Sequence, residues 1–221
     1  MTLPLPHTVL FDWDNTLVDT WGVIHMALNS TFVALGHRPW SLDETQARVR
    51  RSARETFPEM FGDQAEEAIR IFYATFEANH IAYLREQQGA LAMLERLASS
   101  GYRLAVVSNK TGHLLRREAA HLDWSRFFDT LVGAGDAARD KPDPAAVAAA
   151  LDPAPRSVPG GRQGVWFVGD TDIDLMCARN SGCVPVLLRE AAPSDGEFRE
   201  TPPRIYTKSC RDLADMLSSN C

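Results

Sequence analysis

The sequence predicts an α/β protein, a parallel sheet wound on both faces with a helical unit inserted after its first strand. Three observations carry this prediction. Short apolar runs rich in β-branched and aromatic residues alternate with helical patterns, which is the signature of consecutive βαβ units. The stretch 20–88 breaks that rhythm with helical periodicity nearly throughout and no strand signal. At 221 residues the chain is long enough to bury a substantial core without disulfide or metal staples.

The strands are read at 8–11, 104–107, 130–132, 165–168 and 184–188, each short, apolar and bounded by turn or helix signals. Pro185 cannot donate to a ladder, which puts the last strand at the sheet edge or puts the proline in the strand's first turn. Helical patterns at 89–99, 112–121, 144–151 and 172–180 separate these strands. Within the insert, Val23, Ala27, Leu28, Phe32 and Leu35 recur at helical spacing, as do Ala68, Ile69, Phe72, Phe76 and Ile81. That is more helix than a simple crossover uses. The expected division is therefore a core of 1–19 and 89–221 and a helical unit of 20–88. Residues 152–164, rich in Pro and Gly, read as a surface loop.

Composition narrows the function class. Hydrophobic residues at 45% and charged residues at 24% exclude disorder. Asp plus Glu outnumber Lys plus Arg by 29 to 23, a net charge of −6, which argues against a nucleic-acid partner because backbone binding needs a basic surface. The four cysteines lack C-x-x-C spacing and read as free thiols in a reducing compartment. The first residues lack a signal-peptide pattern, and no apolar run reaches spanning length, so no membrane partner is expected and the expected location is the cytoplasm.

In an open parallel sheet, ligands bind beyond the carboxyl ends of the strands, so the polar residues after each strand are the informative ones. These are Asp12-Trp13-Asp14-Asn15-Thr16, Ser108-Asn109-Lys110-Thr111, Lys141-Pro142-Asp143-Pro144 and Gly169-Asp170-Thr171-Asp172-Ile173-Asp174. Asp12 and Asp14, two apart, leave an extended segment on the same face and repel unless a cation intervenes. Asp170 and Asp174 add hard oxygen ligands of the kind Mg²⁺ takes. The expectation for Ser108 and Asn109 is that they hold a phosphate where strand meets helix, with Lys141 supplying a compact positive charge.

This combination resembles the haloacid dehalogenase superfamily of phosphohydrolases, and within it the phosphoglycolate phosphatase branch. Four motifs match in order: D-x-D-x-T at Asp12, Asp14 and Thr16; a hydroxyl residue at Ser108; K-P-x-P at Lys141; and G-D-x-x-x-D at Gly169, Asp170 and Asp174. The resemblance implies a Rossmann-like core whose helical insert is a cap of the C1 type. It implies an Mg²⁺-dependent phosphatase acting on a small-molecule phosphate ester. Asp12 would be the nucleophile that forms an aspartyl-phosphate, and Asp14 the general acid and base. Mg²⁺ would bind Asp12, the Asp14 backbone carbonyl and Asp170, while Asp174 would orient Lys141 or a metal-bound water. Thr16, Ser108, Asn109 and Lys141 would serve the substrate, the last three holding phosphate oxygens.

Other patterns point elsewhere. Asp170, Asp172 and Asp174 imitate the start of a calcium-binding EF-hand loop, but Leu175 and Ser181 stand where that loop needs Gly and Glu. Gly133-Ala134-Gly135-Asp136-Ala137-Ala138 matches a dinucleotide fingerprint without opening a helix, so its glycines are read as turn residues. The histidines show no metal spacing. Trp13, Trp21 and Trp40 read mainly as core, with Trp13 kept as a substrate-binding candidate. Arg48, Arg50, Arg51 and Arg54 crowd one stretch. If Ser41 caps a helix running through Glu55, Arg50 and Arg54 share a face, and Arg54 is a candidate for a second anionic group of the substrate; the alternative is a solvated, ion-paired surface. The rival functions are dehalogenation, which the second aspartate argues against, a hexose-phosphate mutase-like phosphotransfer, and a non-catalytic binding module on the same fold.

Overall fold

A computed structural model describes residues 5–49, 53–152 and 164–218. The chain begins β1 (Thr8–Phe11), β2 (Val18–Asp19), α1 (Trp21–Ala34), α2 (Leu42–Arg48), α3 (Ala53–Phe61), α4 (Ala65–Tyr83) and β3 (Arg85–Glu86). It continues α5 (Ala90–Ser99), β4 (Arg103–Thr111), α6 (Gly112–His121), β5 (Thr130–Ala134), α7 (Pro144–Leu151) and β6 (Val165–Gly169). It closes with α8 (Asp172–Asn180), β7 (Val184–Leu188), β8 (Ile205–Thr207) and α9 (Cys210–Ser218). Two compact units result, one of Met1–Val18 with Glu86–Cys221 and one of Asp19–Arg85.

The first unit is built on a parallel sheet in the order β5-β4-β1-β6-β7-β8. From β1 the chain steps outward to β4 and β5, then returns to the other side of β1 as β6. That reversal is the topological switch at which such sheets bind ligands. Alternate residues serve opposite faces. Leu10, Ala105, Val107, Val165 and Phe167 bury one face against Val147 and Ala150 of α7 and Cys177 and Ala178 of α8. Val9, Phe11, Leu104, Val106, Trp166 and Val168 point the other way and are also buried. A sheet covered on both sides explains why its strands are nearly continuous apolar runs.

The second unit packs α1 and α3 against α4. Its core is aromatic: Phe32 sits 5.5 Å from Phe61 and 4.8 Å from Trp40, and Phe57 meets Phe61 and Phe72 edge-on. Among the described residues, no helix is long and apolar enough to cross a membrane.

Four sequence readings need correction. β7 is not an edge strand, because β8 lies outside it; the other alternative holds, since Pro185 is the second residue of β7, ahead of the pairing of Val186 with Ile205, and its carbonyl accepts the Arg204 N–H at 2.9 Å. Stretch 20–88 does contain a strand, the two-residue β3, which pairs with β2. β4 runs on to Thr111 through an irregular register after Val107, so Ser108 and Asn109 lie within the strand and precede the α6 N-terminus by several residues. The helix capped by Ser41 stops at Arg48, where Val49 turns extended. A continuous helix from Ser41 through Glu55 does not form: α2 ends at Arg48 and α3 is a separate element beginning at Ala53. Arg50, Arg51 and the side chain of Arg54 lie outside the described residues, as does 153–163 of the expected loop.

Candidate active site

Every residue of the site belongs to the sheet-bearing unit. β1 ends at Phe11, level with Val168 of β6, and the Asp12 N–H donates to the Val168 carbonyl at 2.8 Å. Asp12 is thereby fixed at the carboxyl end of the central strand. The chain then reverses: Asn15 adopts a left-handed backbone (φ 59°), a conformation asparagine tolerates better than most residues. The Leu17 N–H closes the turn on the Trp13 carbonyl at 2.9 Å.

Around Asp12 the four motif segments converge. Lys141, two residues ahead of the Asp143 that caps α7, reaches in to donate to Asp12 Oδ1 at 2.6 Å and to Asp174 Oδ1 at 2.7 Å. Asp174 accepts from the Thr171 N–H at 3.0 Å and hydroxyl at 2.7 Å through its other oxygen, so capping α8 also orients it. Asp170 accepts from the Thr16 hydroxyl at 3.2 Å. Thr16, buried, thus serves a carboxylate of the site and not a substrate surface.

Carboxylate oxygens of Asp12, Asp170 and Asp174 lie within 4.8 Å of one another. Two buried carboxylates and the half-buried Asp170 face one buried ammonium. Burial, opposed by Lys141 but reinforced by Asp174 and Asp14, pushes the Asp12 carboxyl up to about 7. Burial and the charges of Asp174 and Asp12 likewise raise Asp170 well above the usual carboxylate range. Lys141 is driven upward: desolvation works against its charge, but the adjoining Asp12 and Asp174 outweigh it. The cluster is short of positive charge. A divalent cation with a preference for oxygen fits that donor set.

Two further expected roles change. Trp13 is not at a substrate surface. It is wholly buried, 5.8 Å edge-on from Trp124 and 6.4 Å from Phe128, because alternation along the strand end turns it inward from its acidic neighbours. The Asn109 side chain is committed to the Lys141 backbone: its amide donates to the Lys141 carbonyl at 3.1 Å and its oxygen accepts the Lys141 N–H at 2.9 Å. It positions the lysine segment, with one amide N–H left over for a phosphate oxygen. Ser108 is buried at the rim, its Oγ accepting the Lys110 N–H at 3.1 Å. Of the arginines, Arg48 lies 3.9 Å from Glu44 and over the Trp40 ring, as the ion-paired surface reading expects.

Sequence reasoning missed two charged residues. Lys110 donates to Asp14 Oδ1 at 2.7 Å and to both oxygens of Glu118, at 2.9 and 2.7 Å. Glu118 is completely buried and also accepts the Trp13 indole N–H at 2.7 Å. Burial lowers the proton affinity of Lys110, but Asp14 and Glu118 overcompensate and raise it. The available signal was an acid on the apolar stripe of α6, three and four residues after Leu115 and Leu114. Asp14, held by Lys110, stands outside the carboxylate triad. Gly133 is no fingerprint glycine either. A Cβ there would fall 2.5–2.7 Å from the Lys110 carbonyl and Gly112, so its bareness lets β5 approach the end of β4.

The protein-family model for haloacid dehalogenase-like hydrolases matches residues 9–187. A phosphoglycolate phosphatase from Aquifex aeolicus (strain VF5) is 30% identical over 176 residues, covering 79% of this chain and 80% of that one. The pyrophosphatase PpaX of Halalkalibacterium halodurans is 22% identical over 211 residues, covering 96% of each. A haloacid dehalogenase-like family hydrolase from Streptococcus pneumoniae superposes with a TM-score of 0.81 at 23% identity, over 96% of this chain and 98% of its own.

Proposed function

We propose that this chain, which belongs to the haloacid dehalogenase-like hydrolase family, is a Mg²⁺-dependent phosphatase that hydrolyses a small-molecule phosphate monoester through an aspartyl-phosphate. The observation that carries the reading is Asp12, fixed at the switch point of the sheet and bonded to Lys141 within a triad of two buried carboxylates and the half-buried Asp170. Phosphoglycolate is the leading substrate, because relatives at this similarity carry that name.

Asp12 forms a bond to phosphorus while the bond from phosphorus to the ester oxygen breaks. Asp14 gives its proton to the departing alkoxide, then takes one from the water that attacks the phosphoaspartate and frees inorganic phosphate. Lys141 and Ser108 hold phosphate oxygens at the rim, with Asp174 and the Asn109 side chain keeping Lys141 in place. Mg²⁺ would be held by Asp12, Asp170 and the Asp14 carbonyl, with Asp174 beside them. When bound, it offsets the repulsion between an anionic phosphate and an anionic carboxylate.

Phosphate release over a panel of phosphorylated metabolites tests this. Phosphoglycolate and inorganic pyrophosphate are included, each with EDTA and with Mg²⁺ restored. Multiple turnovers of free phosphate are expected, abolished by chelation and regained with Mg²⁺. Asp12→Asn should lower turnover by about three orders of magnitude or more, since no neighbouring group replaces the attacking carboxylate. Retention of more than about a tenth of wild-type turnover in the folded variant overturns the nucleophile. Isomerisation without phosphate release overturns hydrolysis, and preference for pyrophosphate replaces the monoester.

A further inference from the structure

We propose that Lys110, pinned by Glu118 and Trp13, is the positioning residue of Asp14. It holds one carboxylate oxygen so that the other meets the ester oxygen and, later, the attacking water. The inference rests on the reading of Asp14 as general acid and base. It goes beyond that reading by assigning work to a lysine and a glutamate outside the four motifs.

The geometry is specific. Lys110 engages Oδ1 of Asp14 at 2.7 Å, which leaves Oδ2 for proton exchange. The same ammonium bridges both oxygens of Glu118. Glu118 closes the circuit on the indole N–H of Trp13, the residue between the two aspartates. Trp13 is locked in turn among Trp124 and Phe128. The D-x-D segment is therefore clamped at Asp14 by Lys110 and at Trp13 by Glu118, the two halves of a single buried ion pair.

Stability alone is a poor reason for that pair. The side chain of Lys110 is 3% exposed and that of Glu118 not at all. Desolvating two such charges costs about as much as their attraction returns, and apolar replacements of similar volume are often as stable. What an apolar replacement would not do is fix the rotamer of a half-exposed carboxylate beside the nucleophile. Misplacement of a proton-transfer group by about 1 Å costs up to about a hundredfold in rate.

The test is a double-mutant cycle on Lys110→Met and Asp14→Asn, with phosphoglycolate and p-nitrophenyl phosphate as substrates and single-turnover formation of the phosphoenzyme as readout. Lys110→Met should slow phosphoenzyme formation from phosphoglycolate by about tenfold or more with little change in KM. It should slow the reaction of p-nitrophenyl phosphate far less, because nitrophenolate departs without a proton. In the Asp14→Asn background, Lys110→Met should add less than about a twofold loss, since the group it positions is gone. Losses that multiply in the double variant, or fall equally on both esters, mark a structural role and overturn the proposal. So does an undiminished rate in Lys110→Met. Should Lys110→Met fail to fold, Glu118→Gln keeps the shape and removes the pinning charge. It should give the same leaving-group pattern and the same silence on Asp14→Asn; full activity in folded Glu118→Gln overturns the clamp. Wild-type protein without turnover, or Asp14→Asn with full turnover, overturns the catalytic reading and the clamp together. A defective Asp14→Asn beside an indifferent Lys110→Met overturns the clamp alone.

Discussion

Gly169 decides how near α8 comes to β6. A Cβ at this position would lie 2.3 Å from both Cβ and Cγ of Asp174, closer than any real contact allows. Asp174 would have to shift, carrying with it the bonds to Lys141 and to the Thr171 cap. The glycine of the fourth motif is thus explained by approach, not by backbone angle. Gly169→Ala is expected to cost about 1–3 kcal/mol by overpacking, read as a lowered denaturation midpoint. It should also depress kcat in whatever folded fraction remains, since Lys141 loses one of its two carboxylate partners. An unchanged midpoint together with unchanged kcat would mean that Asp174 moves aside freely. Most motif residues of the site were legible because they lie near or beyond the carboxyl end of a sheet strand. Lys110 and Glu118 were not, because their pairing joins a strand end to a helix face across several residues, and periodicity reports only that each is in a regular element.

At the scale of elements, α2 shows what local signals settle. Ser41 Oγ accepts the Glu44 N–H at 3.1 Å and the Ser41 N–H donates to Glu44 Oε2 at 2.8 Å, a reciprocal capping box. Glu44 also takes Arg38 at 2.6 Å. Ser41→Ala should destabilise the helical unit by about 1 kcal/mol, measured as faster hydrogen exchange of the α2 amides; exchange at the wild-type rate would show the helix to be held by packing instead. The start of this helix was readable from Ser-x-x-Glu, whereas its end at Arg48 was not, since no glycine or proline marks it. The same contrast holds in the sheet. β1 and β7 fall where their apolar runs predict, because buried strands are written as unbroken apolar runs. β8 and α9 escaped notice: β8 is a three-residue edge strand, and α9 buries Leu213, Ala214 and Leu217 where the chain docks on α5. Only tertiary contact selects those.

For the whole molecule, a cation held by the carboxylate triad, as proposed, would couple its binding to folding stability. An ion bound by the folded state and not by the unfolded chain stabilises by RT ln(1 + [L]/Kd), about 2.7 kcal/mol at a hundredfold excess over Kd. For a chain of this size that is roughly 5–10 °C in midpoint. All three carboxylates lie in the sheet-bearing unit, so that unit is the one to monitor. Trp13, Trp124 and Trp166 are buried in it, while Trp21 and Trp40 belong to the other unit. A Trp21→Phe, Trp40→Phe background therefore reports the sheet-bearing unit alone by fluorescence. In that background Mg²⁺ should raise the midpoint. Asp170→Asn should reverse the balance. Burial and the charges of Asp174 and Asp12 already oppose ionisation of Asp170, so its neutral isostere should unfold at a higher temperature than the parent in EDTA. It should then gain little or nothing from Mg²⁺, because a ligand is lost. A midpoint in EDTA no higher than the parent's would mean that the crowding of the triad carries no cost to folding. A Mg²⁺-dependent rise equal to the parent's would mean that the ion binds without Asp170.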